Sequence, residues 1–246
     1  TWDPISQGLL CAKVLEDENF DPSLVFLARE GEKIQGFLLA VHRRTPYLDR
    51  GLEPELGWIT ALGVRPEARG QGIAGELLRR AEVRLVALGV RTVVLGAYSP
   101  HYFLPGIDLK HYAQAVPFFE EHGYLGGEEC YAMRRLLFGY GIPPEVAEKE
   151  QRARAAGYRF QPYEEVYRQK LLDFLAENFS AGWQYNARCL LEEGLGEEQI
   201  WICVDRDGQV AGYCQRGMDG NVSRFGPFGV RATDRTHSLG SILFCR

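Results

Sequence analysis

A short segment rich in glycine and arginine is the part of this sequence with the clearest capacity for chemistry. It reads Arg-Gly-Gln-Gly-Ile-Ala over residues 69–74, and Arg65 lies just upstream. The segment is predicted to join a strand to a helix, so that several backbone N–H groups and the positive end of the helix dipole face a ligand. Gly70 and Gly72 permit a close approach, and the two arginines can add charge-assisted hydrogen bonds. The segment therefore predicts a site for phosphate or pyrophosphate.

Two other phosphate-binding motifs, the dinucleotide-binding pattern and the Walker loop, do not fit this segment. Residues 70–75 spell Gly-x-Gly-x-x-Gly, which is a dinucleotide-binding pattern. That pattern needs an acidic residue about 20 positions on, at the end of the next parallel strand. The strand predicted at Arg91–Ala97 ends without one, and the loop follows two antiparallel strands, so a nicotinamide site is not expected. A Walker loop is excluded because no Gly-Lys-Ser/Thr follows.

The elements that must position this segment occur twice in the chain. Val64–Leu78 aligns with Val230–Phe244, 166 residues later. A hairpin signature of two apolar runs and a Gly-containing turn precedes each copy, at residues 25–40 and 201–214. The first half carries an insertion, Thr45–Pro54, between the hairpin and the next strand. Each half is therefore predicted to run helix, hairpin, strand, basic loop, helix.

Periodicity and turn residues predict the remaining elements and an α/β fold class, of the α+β kind with mixed, mostly antiparallel sheets. The run Ile-Pro-Pro at 142–144 interrupts the pattern, so we place a domain boundary near residue 140 and a linker helix at 141–156. Thr1 is not an initiator Met and the last helix is short, so we expect a further strand and helix beyond each end. The helices are expected at Trp2–Leu15, Glu76–Leu88, Ala113–His122, Glu145–Ala156, Val166–Asn178, Gln184–Leu191 and Leu239–Arg246, and the remaining strands at Arg91–Ala97, Cys130–Leu136 and Tyr158–Pro162.

Composition excludes several classes of function. The 246 residues include 46% apolar and 25% charged residues, with 28 basic against 33 acidic side chains and a net charge of -5, so nucleic acid is not an expected partner. No apolar run approaches the ~20 residues that span a bilayer, and no signal peptide is recognised, so we expect a cytoplasmic protein without membrane contact. The six cysteines and five histidines lack ligand spacing, and no metal is expected.

The basic loop and a later motif resemble the GNAT superfamily of acyl-CoA N-acyltransferases. The family signature, Arg/Gln-x-x-Gly-x-Gly/Ala after a strand that often ends Val-x-Pro, is similar to residues 63–74. The later motif, Ala-x-x-Phe/Leu-Tyr-x-x-x-Gly-Phe/Tyr, is similar to residues 115–124. The resemblance extends into the second half as far as Arg246. It implies two GNAT-like domains in tandem, at 1–140 and 157–246, of which the second is degenerate and incomplete.

This resemblance implies an N-acetyltransferase that moves an acetyl group from acetyl-CoA to an amine by direct attack in a ternary complex. It implies a sheet that splays after the fourth strand, with pantetheine along that strand and pyrophosphate at the loop. The expected acceptor is a small-molecule or protein amine, and a homodimer is left open. The implied acetyl-CoA-binding residues are Leu62, Gly63, Val64, Arg69, Gly70, Gln71, Gly72, Ile73, Ala74 and Phe119.

Such a transfer needs a base for the ammonium, a dipole for the oxyanion and an acid for the thiolate. Phe119 stands where a family tyrosine would act as the acid, and Phe cannot donate a proton. Tyr112, Tyr124 or water remain as donors, since a free thiol with a pKa of about 8.5 is a tolerable leaving group. The candidates for the base are Glu55, His101 and Asp108.

The loop at Tyr98–Lys110 is expected to determine acceptor specificity. It follows the fifth strand of the family fold, carries several aromatic side chains, and is stiffened by Pro100 and Pro105. A structural lid is the alternative for this loop.

The second copy of the basic loop has diverged from the first. Thr236 and Ser238 replace Gly70 and Gly72, while Arg235 persists. We expect this half to shape the acceptor pocket or to hold the two halves together, and weak CoA binding there is left open. The alternative function for the chain is a CoA-binding sensor or interaction module without turnover.

Overall fold

The chain folds into two compact units, Thr1–Met133 and Arg134–Arg246. The computed structural model describes residues 5–101, 106–127, 129, 133–217, 221 and 223–246. Each unit has its own four-stranded sheet and its own apolar core. The expected boundary near residue 140 falls a few residues after the division between the units.

The first unit is built on a mixed sheet with the strand order β1-β2-β3-β4. The first three strands are antiparallel, and β4 runs parallel to β3. The strands are β1 Val25–Glu30, β2 Lys33–Val41, β3 Leu56–Val64 and β4 Thr92–Leu95, and the helices are α1 Gln7–Leu10, α2 Ile73–Ala87, α3 Leu109–Tyr112 and α4 Ala115–Glu121. A π-helical turn, Cys11–Leu15, continues α1.

Helix α2 packs on one face of this sheet through an apolar stripe. Leu77, Leu78, Ala81 and Leu85 recur at helical spacing and are all buried. Full burial of each leucine stabilises the fold by about 1.5–3 kcal/mol. The helix ends before Gly89, whose φ of 92° suits a residue without a Cβ.

The sheet of the first unit opens at the middle of β3. Parallel pairing with β4 ends at Ile59 opposite Leu95. In the antiparallel pairing with β2, Leu39 faces Ala61 and Ala40 faces Ile59, so Thr60 is the extra residue of a β-bulge. Beyond this point β3 pairs with β2 alone among the described strands. The second half of β3 therefore has one edge free of the described strands, which is compatible with the expected splay after the fourth strand of the family fold.

The second unit has an antiparallel sheet in the order β5-β6-β7-β8. Apolar side chains of α6 and α7 contribute to one core cluster, and those of α5 and α9 contribute to another. The strands are β5 Arg159–Pro162, β6 Ile200–Val204, β7 Val210–Arg216 and β8 Phe225–Val230, and the helices are α5 Pro144–Ala155, α6 Arg168–Asn178, α7 Ala181–Glu192, α8 Gly196–Gln199 and α9 Leu239–Cys245.

The predicted fold class is confirmed, and so are most of the predicted helices and strands, whose ends are shifted by a few residues. Two expectations need correction. The helix within 141–156 is not a linker, because Val146 and Ala153 of α5 lie in a core of the second unit. The strand expected at Cys130–Leu136 is not found at residues 133–136, and its residues 130–132 lie outside the described part. Residues 2–4 of the first expected helix lie outside it too.

Where the sequence repeats, the strands within each unit pair in the same register. Gly36 of β2 pairs with Val64, and Gly212 of β7 pairs with Val230. A Cβ on Gly212 would lie 2.8 Å from Leu243 Cδ1, and one on Gly36 would lie 3.1 Å from a methyl group of the first residue of α2. In both units a glycine thus lets the helix after the basic loop pack closely on the middle of the sheet.

Candidate functional site

The first loop, which we define as residues 65–72, has an open backbone that requires its two glycines. Gly70 and Gly72 have φ angles of 74° and 76°, in the left-handed region that favours glycine. A Cβ at either position would meet no atom within 4 Å, so the conformation and not crowding selects glycine. Helix α2 begins at Ile73 without a side-chain cap, which leaves its first N–H groups for a ligand.

Two exposed arginines lie on this loop. Arg65 Nε donates to Ile34 O at 2.6 Å, and Arg69 Nε donates to Val64 O at 3.2 Å. Each guanidinium therefore keeps other N–H groups for an anion. The nearby carboxylate of Glu67 accepts a hydrogen bond from Lys33 at 3.1 Å. The geometry of the first loop suits an anion with several oxygens, such as a pyrophosphate.

The expected pantetheine strand lies directly before this loop. Leu62–Val64 is the last part of β3, beyond the point where β4 separates, so one edge of its backbone carries no described strand. Ile73 and Ala74 begin α2, and Gln71 Nε2 donates to Glu67 O at 3.4 Å. The structure thus brings together every expected acetyl-CoA-binding residue from Leu62 to Ala74 on one strand, loop and helix.

Phe119 belongs to the core cluster of the first unit, against which Leu62 and Ile73 also pack. Its ring is buried, and it lies edge-on to Tyr124 with the centroids 5.3 Å apart. The buried ring packs with residues of α2 and the sheet.

A pocket lies beside the β-bulge of β3. Its volume is about 20 Å³, enough for one water-sized group, and it is enclosed by the π-helical turn Cys11–Leu15 and the segment after it, by β1, β2 and β3, and by the segment after β4. Five of its lining residues are polar, namely Lys13, Asp17, Thr60, Tyr98 and His101, and the others are apolar. The residues that line it are Lys13, Val14, Asp17, Phe20, Val25, Leu39, Ala40, Val41, Thr60, Tyr98 and His101.

Of the three base candidates, only His101 lines this pocket. Asp108 caps the short helix α3, because its carboxylate accepts a hydrogen bond from Lys110 N at 3.0 Å and lies 2.6 Å from His111 Nδ1. Glu55 precedes β3, at the end of the strand opposite the first loop. The three candidates are therefore not brought together.

The two tyrosines expected as proton donors also lie in different surroundings. Tyr124 donates its hydroxyl hydrogen to Glu82 Oε1 at 2.9 Å, on α2. Burial, and then this carboxylate, raise the pKa of Tyr124 well above its ordinary value. Tyr112 is 51% exposed on α3. The Tyr124 hydroxyl is therefore engaged with Glu82, whereas Tyr112 lies at the surface.

A buried polar network behind the pocket was not anticipated from the sequence. Tyr98 donates to Asp17 Oδ1 at 3.2 Å and accepts a hydrogen bond from Asn19 Nδ2 at 2.9 Å. Burial, and then the Asp17 carboxylate, raise the pKa of Tyr98 well above its ordinary value, so the phenol stays protonated. The side chain of Arg43 lies over the Tyr98 ring, 5.0 Å from its centroid. These residues lie far apart in the sequence, and no local pattern marks them as a group.

The second loop, which we define as residues 231–238, keeps part of the same backbone but has different partners. Ser238 has a φ of 58°, close to that of Gly72, whereas Thr236 lies within a 3-10 helix, Ala232–His237. A β-branched residue disfavours the left-handed conformation that Gly70 adopts in the first loop. The chain therefore lacks the second left-handed turn here.

Carboxylates neutralise the first arginine of the second loop. Arg231 forms ion pairs with Asp205, at 2.9 Å, and with Asp234, which also accepts a hydrogen bond from the Tyr158 hydroxyl. Burial opposes ionisation of Asp234, but the hydrogen bonds from Arg231, Tyr158 and Thr233 outweigh it and lower its pKa to about 2. These contacts suit a structural role better than an anion site. We call the ion-paired cluster of Arg231, Asp205 and Asp234 the clasp.

No helix in the described part of the chain is long and apolar enough to cross a membrane. Within the same part, no group of three or more His, Cys, Asp or Glu residues is placed to hold a metal ion.

Comparison with known proteins assigns the class of this fold and site. The Acetyltransferase (GNAT) family matches residues 2–104. The uncharacterized N-acetyltransferase YjhQ of Escherichia coli (strain K12) is 34% identical over 131 residues, which cover 52% of this chain and 68% of the relative. The chain belongs to the GNAT acetyltransferase family, and its class is that of acetyl-CoA-dependent N-acyltransferases.

Solved structures extend the likeness in fold to both units. A GCN5-related N-acetyltransferase from Sphaerobacter thermophilus aligns with a TM-score of 0.56 at 15% identity, over 93% of this chain and 68% of its own. A glucosamine N-acetyltransferase region of a fungal multi-domain GH3 beta-N-acetylglucosaminidase aligns with a TM-score of 0.66 at 18% identity, over 89% of this chain. This chain spans 28% of the fungal protein. At these identities the likeness concerns the fold alone.

Proposed function

We propose that the first unit binds acetyl-CoA through the first loop and transfers its acetyl group to an amine whose nitrogen enters the small pocket beside Thr60. The observation that carries this proposal is the pair of left-handed glycines, Gly70 and Gly72, at an uncapped helix start next to the open edge of β3. Acetyl-CoA supplies an activated thioester, and the protein supplies its position. The pyrophosphate binds the N–H groups of the loop and Arg69.

In the proposed reaction the amine attacks the thioester carbon directly, in a ternary complex. The C–N bond forms first and gives a tetrahedral oxyanion. The nitrogen then loses its surplus proton to solvent, the C–S bond breaks as the carbonyl re-forms, and CoA leaves as a thiolate that water protonates. A backbone N–H on the open edge of β3 beyond the bulge is assigned the role of steadying the oxyanion. Phe119, buried in the core, supplies no proton.

We assign His101 the role of the base that takes a proton from the acceptor's ammonium and so frees the nitrogen lone pair for attack, because it is the only candidate of the three that lines the pocket. Histidine is the side chain that most often acts as a general base in enzymes. Glu55 and Asp108 remain weaker alternatives, since Asp108 is engaged as a helix cap.

The test is release of CoA thiol from acetyl-CoA in the presence of a panel of small amines and N-terminal peptides. His101→Ala should lower the rate at neutral pH by roughly a hundredfold or more, the usual contribution of a general base. His237→Ala, in the second loop, is the matched control and should leave the rate unchanged. An unchanged rate in His101→Ala would contradict the assignment of the base, and Glu55 would be tested next.

A CoA-binding sensor without turnover is the second candidate, and Phe119 is the observation that favours it. CoA binding by calorimetry together with no thiol release for any amine would support this candidate over the enzyme. For the second unit, we propose a degenerate GNAT-like domain with a structural role, on the basis of the shared register and the neutralised Arg231.

A further inference from the structure

We propose that Arg43 is a positioning residue that holds the Tyr98–His101 segment against the acceptor pocket, and that the insertion at Thr45–Pro54 supports it through Glu53. This inference rests on the proposed function of the pocket. It also gives a role to an insertion that the second half of the chain lacks.

Arg43 joins the insertion to the segment after β4. Its Nη2 donates to Ser99 O at 2.8 Å, and its Nε donates to Glu53 Oε2 at 3.1 Å. The Arg43 side chain is 1% exposed and that of Glu53 is 17% exposed, so water competes little for either hydrogen bond. Removal of the Glu53 charge would leave a buried cation without its carboxylate.

Three aromatic rings surround the same guanidinium. The Arg43 Cζ atom lies 4.9 Å from the ring centroids of Tyr47 and Trp58 and 5.0 Å from that of Tyr98. Tyr47 belongs to the insertion, Trp58 to β3, and Tyr98 to the segment after β4. A planar guanidinium can stack on such rings while it donates in its own plane, which a lysine ammonium cannot do.

The backbone of Glu53 is strained in a way that this contact explains. Its φ is 46°, in the left-handed region that a residue with a Cβ seldom adopts. Such strain persists only where the surrounding structure holds it, and it concentrates at functional sites. The residue with this conformation is the one whose carboxylate accepts the hydrogen bond from Arg43.

The arrangement reaches the pocket through Tyr98 and His101. Both residues line it, and Ser99, whose carbonyl Arg43 holds, lies between them. The Tyr98 hydroxyl is bound on its other side by Asp17 and Asn19. A shift of Ser99 would therefore move the assigned base and one wall of the pocket, but not the first loop.

Glu53→Gln tests this role, because it keeps the size of the side chain and removes its charge. Asp49→Asn, an exposed position in the same insertion, is the matched control. We expect Glu53→Gln to raise KM for the amine or lower kcat by about tenfold, the effect of one hydrogen bond to a charged group, with KM for acetyl-CoA unchanged. Arg43→Lys should have the same selective effect.

Hydrogen exchange provides a readout that does not depend on turnover. We expect faster exchange at residues 98–101 in Glu53→Gln than in Asp49→Asn, and equal exchange at residues 69–74. If exchange at residues 98–101 is faster in Glu53→Gln but the parent protein shows no turnover, the proposed function is overturned and the positioning role is supported. Equal exchange in the two variants would overturn the role of Arg43. The role would also be overturned if Glu53→Gln weakened the apparent affinity for the amine, the apparent affinity for acetyl-CoA and the thermal stability to an equal extent.

Discussion

The first and second loops show how one backbone design can serve two purposes. In both, the first arginine donates its backbone N–H to the neighbouring strand, from Arg65 to Gln35 O at 2.8 Å and from Arg231 to Ala211 O at 2.9 Å. In both, a residue in the left-handed conformation precedes the helix. The loops differ in their side chains.

The difference lies in which charges the arginines meet. Arg65 is 52% exposed, and the closest acid, Glu67, lies 4.0 Å away and is also bound to Lys33. Arg231 is held between two carboxylates, which raise its pKa further above its ordinary value. An anion can thus replace water at the first loop, whereas at the second it would have to displace a carboxylate. A shared register therefore does not imply a shared ligand.

The largest expected effect is that of Gly72→Val in the first loop. A branched side chain at a φ of 76° is strained, and it would occupy the space assigned to the pyrophosphate. We expect CoA affinity to fall at least a hundredfold, as when two hydrogen bonds to a charged group are lost.

Gly31→Val is the matched control for Gly72→Val, because Gly31 has a φ of 61° in the β1–β2 turn and equally open surroundings. It should reduce stability by a similar amount and leave CoA affinity unchanged. Calorimetric titration of both variants decides the matter. An equal loss of affinity in the two would show that strain, and not the site, is responsible.

The next largest effect distinguishes Arg69 of the first loop from Arg235, its equivalent in the second loop. Arg69→Ala should weaken CoA binding by about 1.5–3 kcal/mol, which is typical of a hydrogen bond to a charged group. Arg235→Ala, the same change at the equivalent position of the second loop, should leave binding unchanged. Affinity that falls in Arg235→Ala as well would show that both loops hold CoA.

A third prediction concerns the clasp in the second loop. Folding lowers the pKa of Asp234 from 3.8 to about 2, so its ionised form stabilises the folded state above pH 4, and this stability is lost as the pH falls from about 4 to 2. Asp234→Asn should therefore lower the free energy of unfolding by about 2 kcal/mol at pH 7. Urea unfolding at pH 7 and at pH 3 measures this.

The difference between Asp234→Asn and the parent protein should shrink at the lower pH, and CoA affinity at pH 7 should not change. A destabilisation that is the same at both pH values would show that the charge of Asp234 is not what holds the clasp together.

The smallest expected effect is that of Ser238→Gly. Ser238 adopts the left-handed conformation at a cost that glycine avoids, so the variant should be more stable by up to about 1 kcal/mol. It should not gain CoA affinity, because Thr236 and the carboxylates around Arg231 remain. A measurable gain in CoA binding would show that a single glycine separates the two loops in function.

Local patterns in the sequence were sufficient to predict the loop and most of the fold. The spacing of Leu77, Leu78, Ala81 and Leu85 marks α2, and Gly89 marks its end. The role of α5 could not be read in this way, because the helix is mostly charged. Glu150 is buried there by hydrogen bonds from Arg154 and Arg246, and the second of these partners lies 96 residues away in the sequence.

The pocket was predictable only in part, because the side chains around it come from distant parts of the sequence. His101 could be named because it lies in a loop with turn residues, and Asp108 is a typical helix-capping residue whose local role was not recognised. The contacts of Arg43 with Ser99 and of Asn19 with Tyr98 span 56 and 79 positions. Pairs so distant carry no periodic signal, so they emerge only once the strands are placed.

The stoichiometry of CoA binding tests the central claim most directly. Calorimetric titration of the full chain with CoA should give one site per chain, a site that is lost in Gly72→Val and retained in Asp234→Asn. Two sites per chain, or a single site that survives Gly72→Val and disappears in Asp234→Asn, would contradict the assignment of the first loop as the acetyl-CoA site.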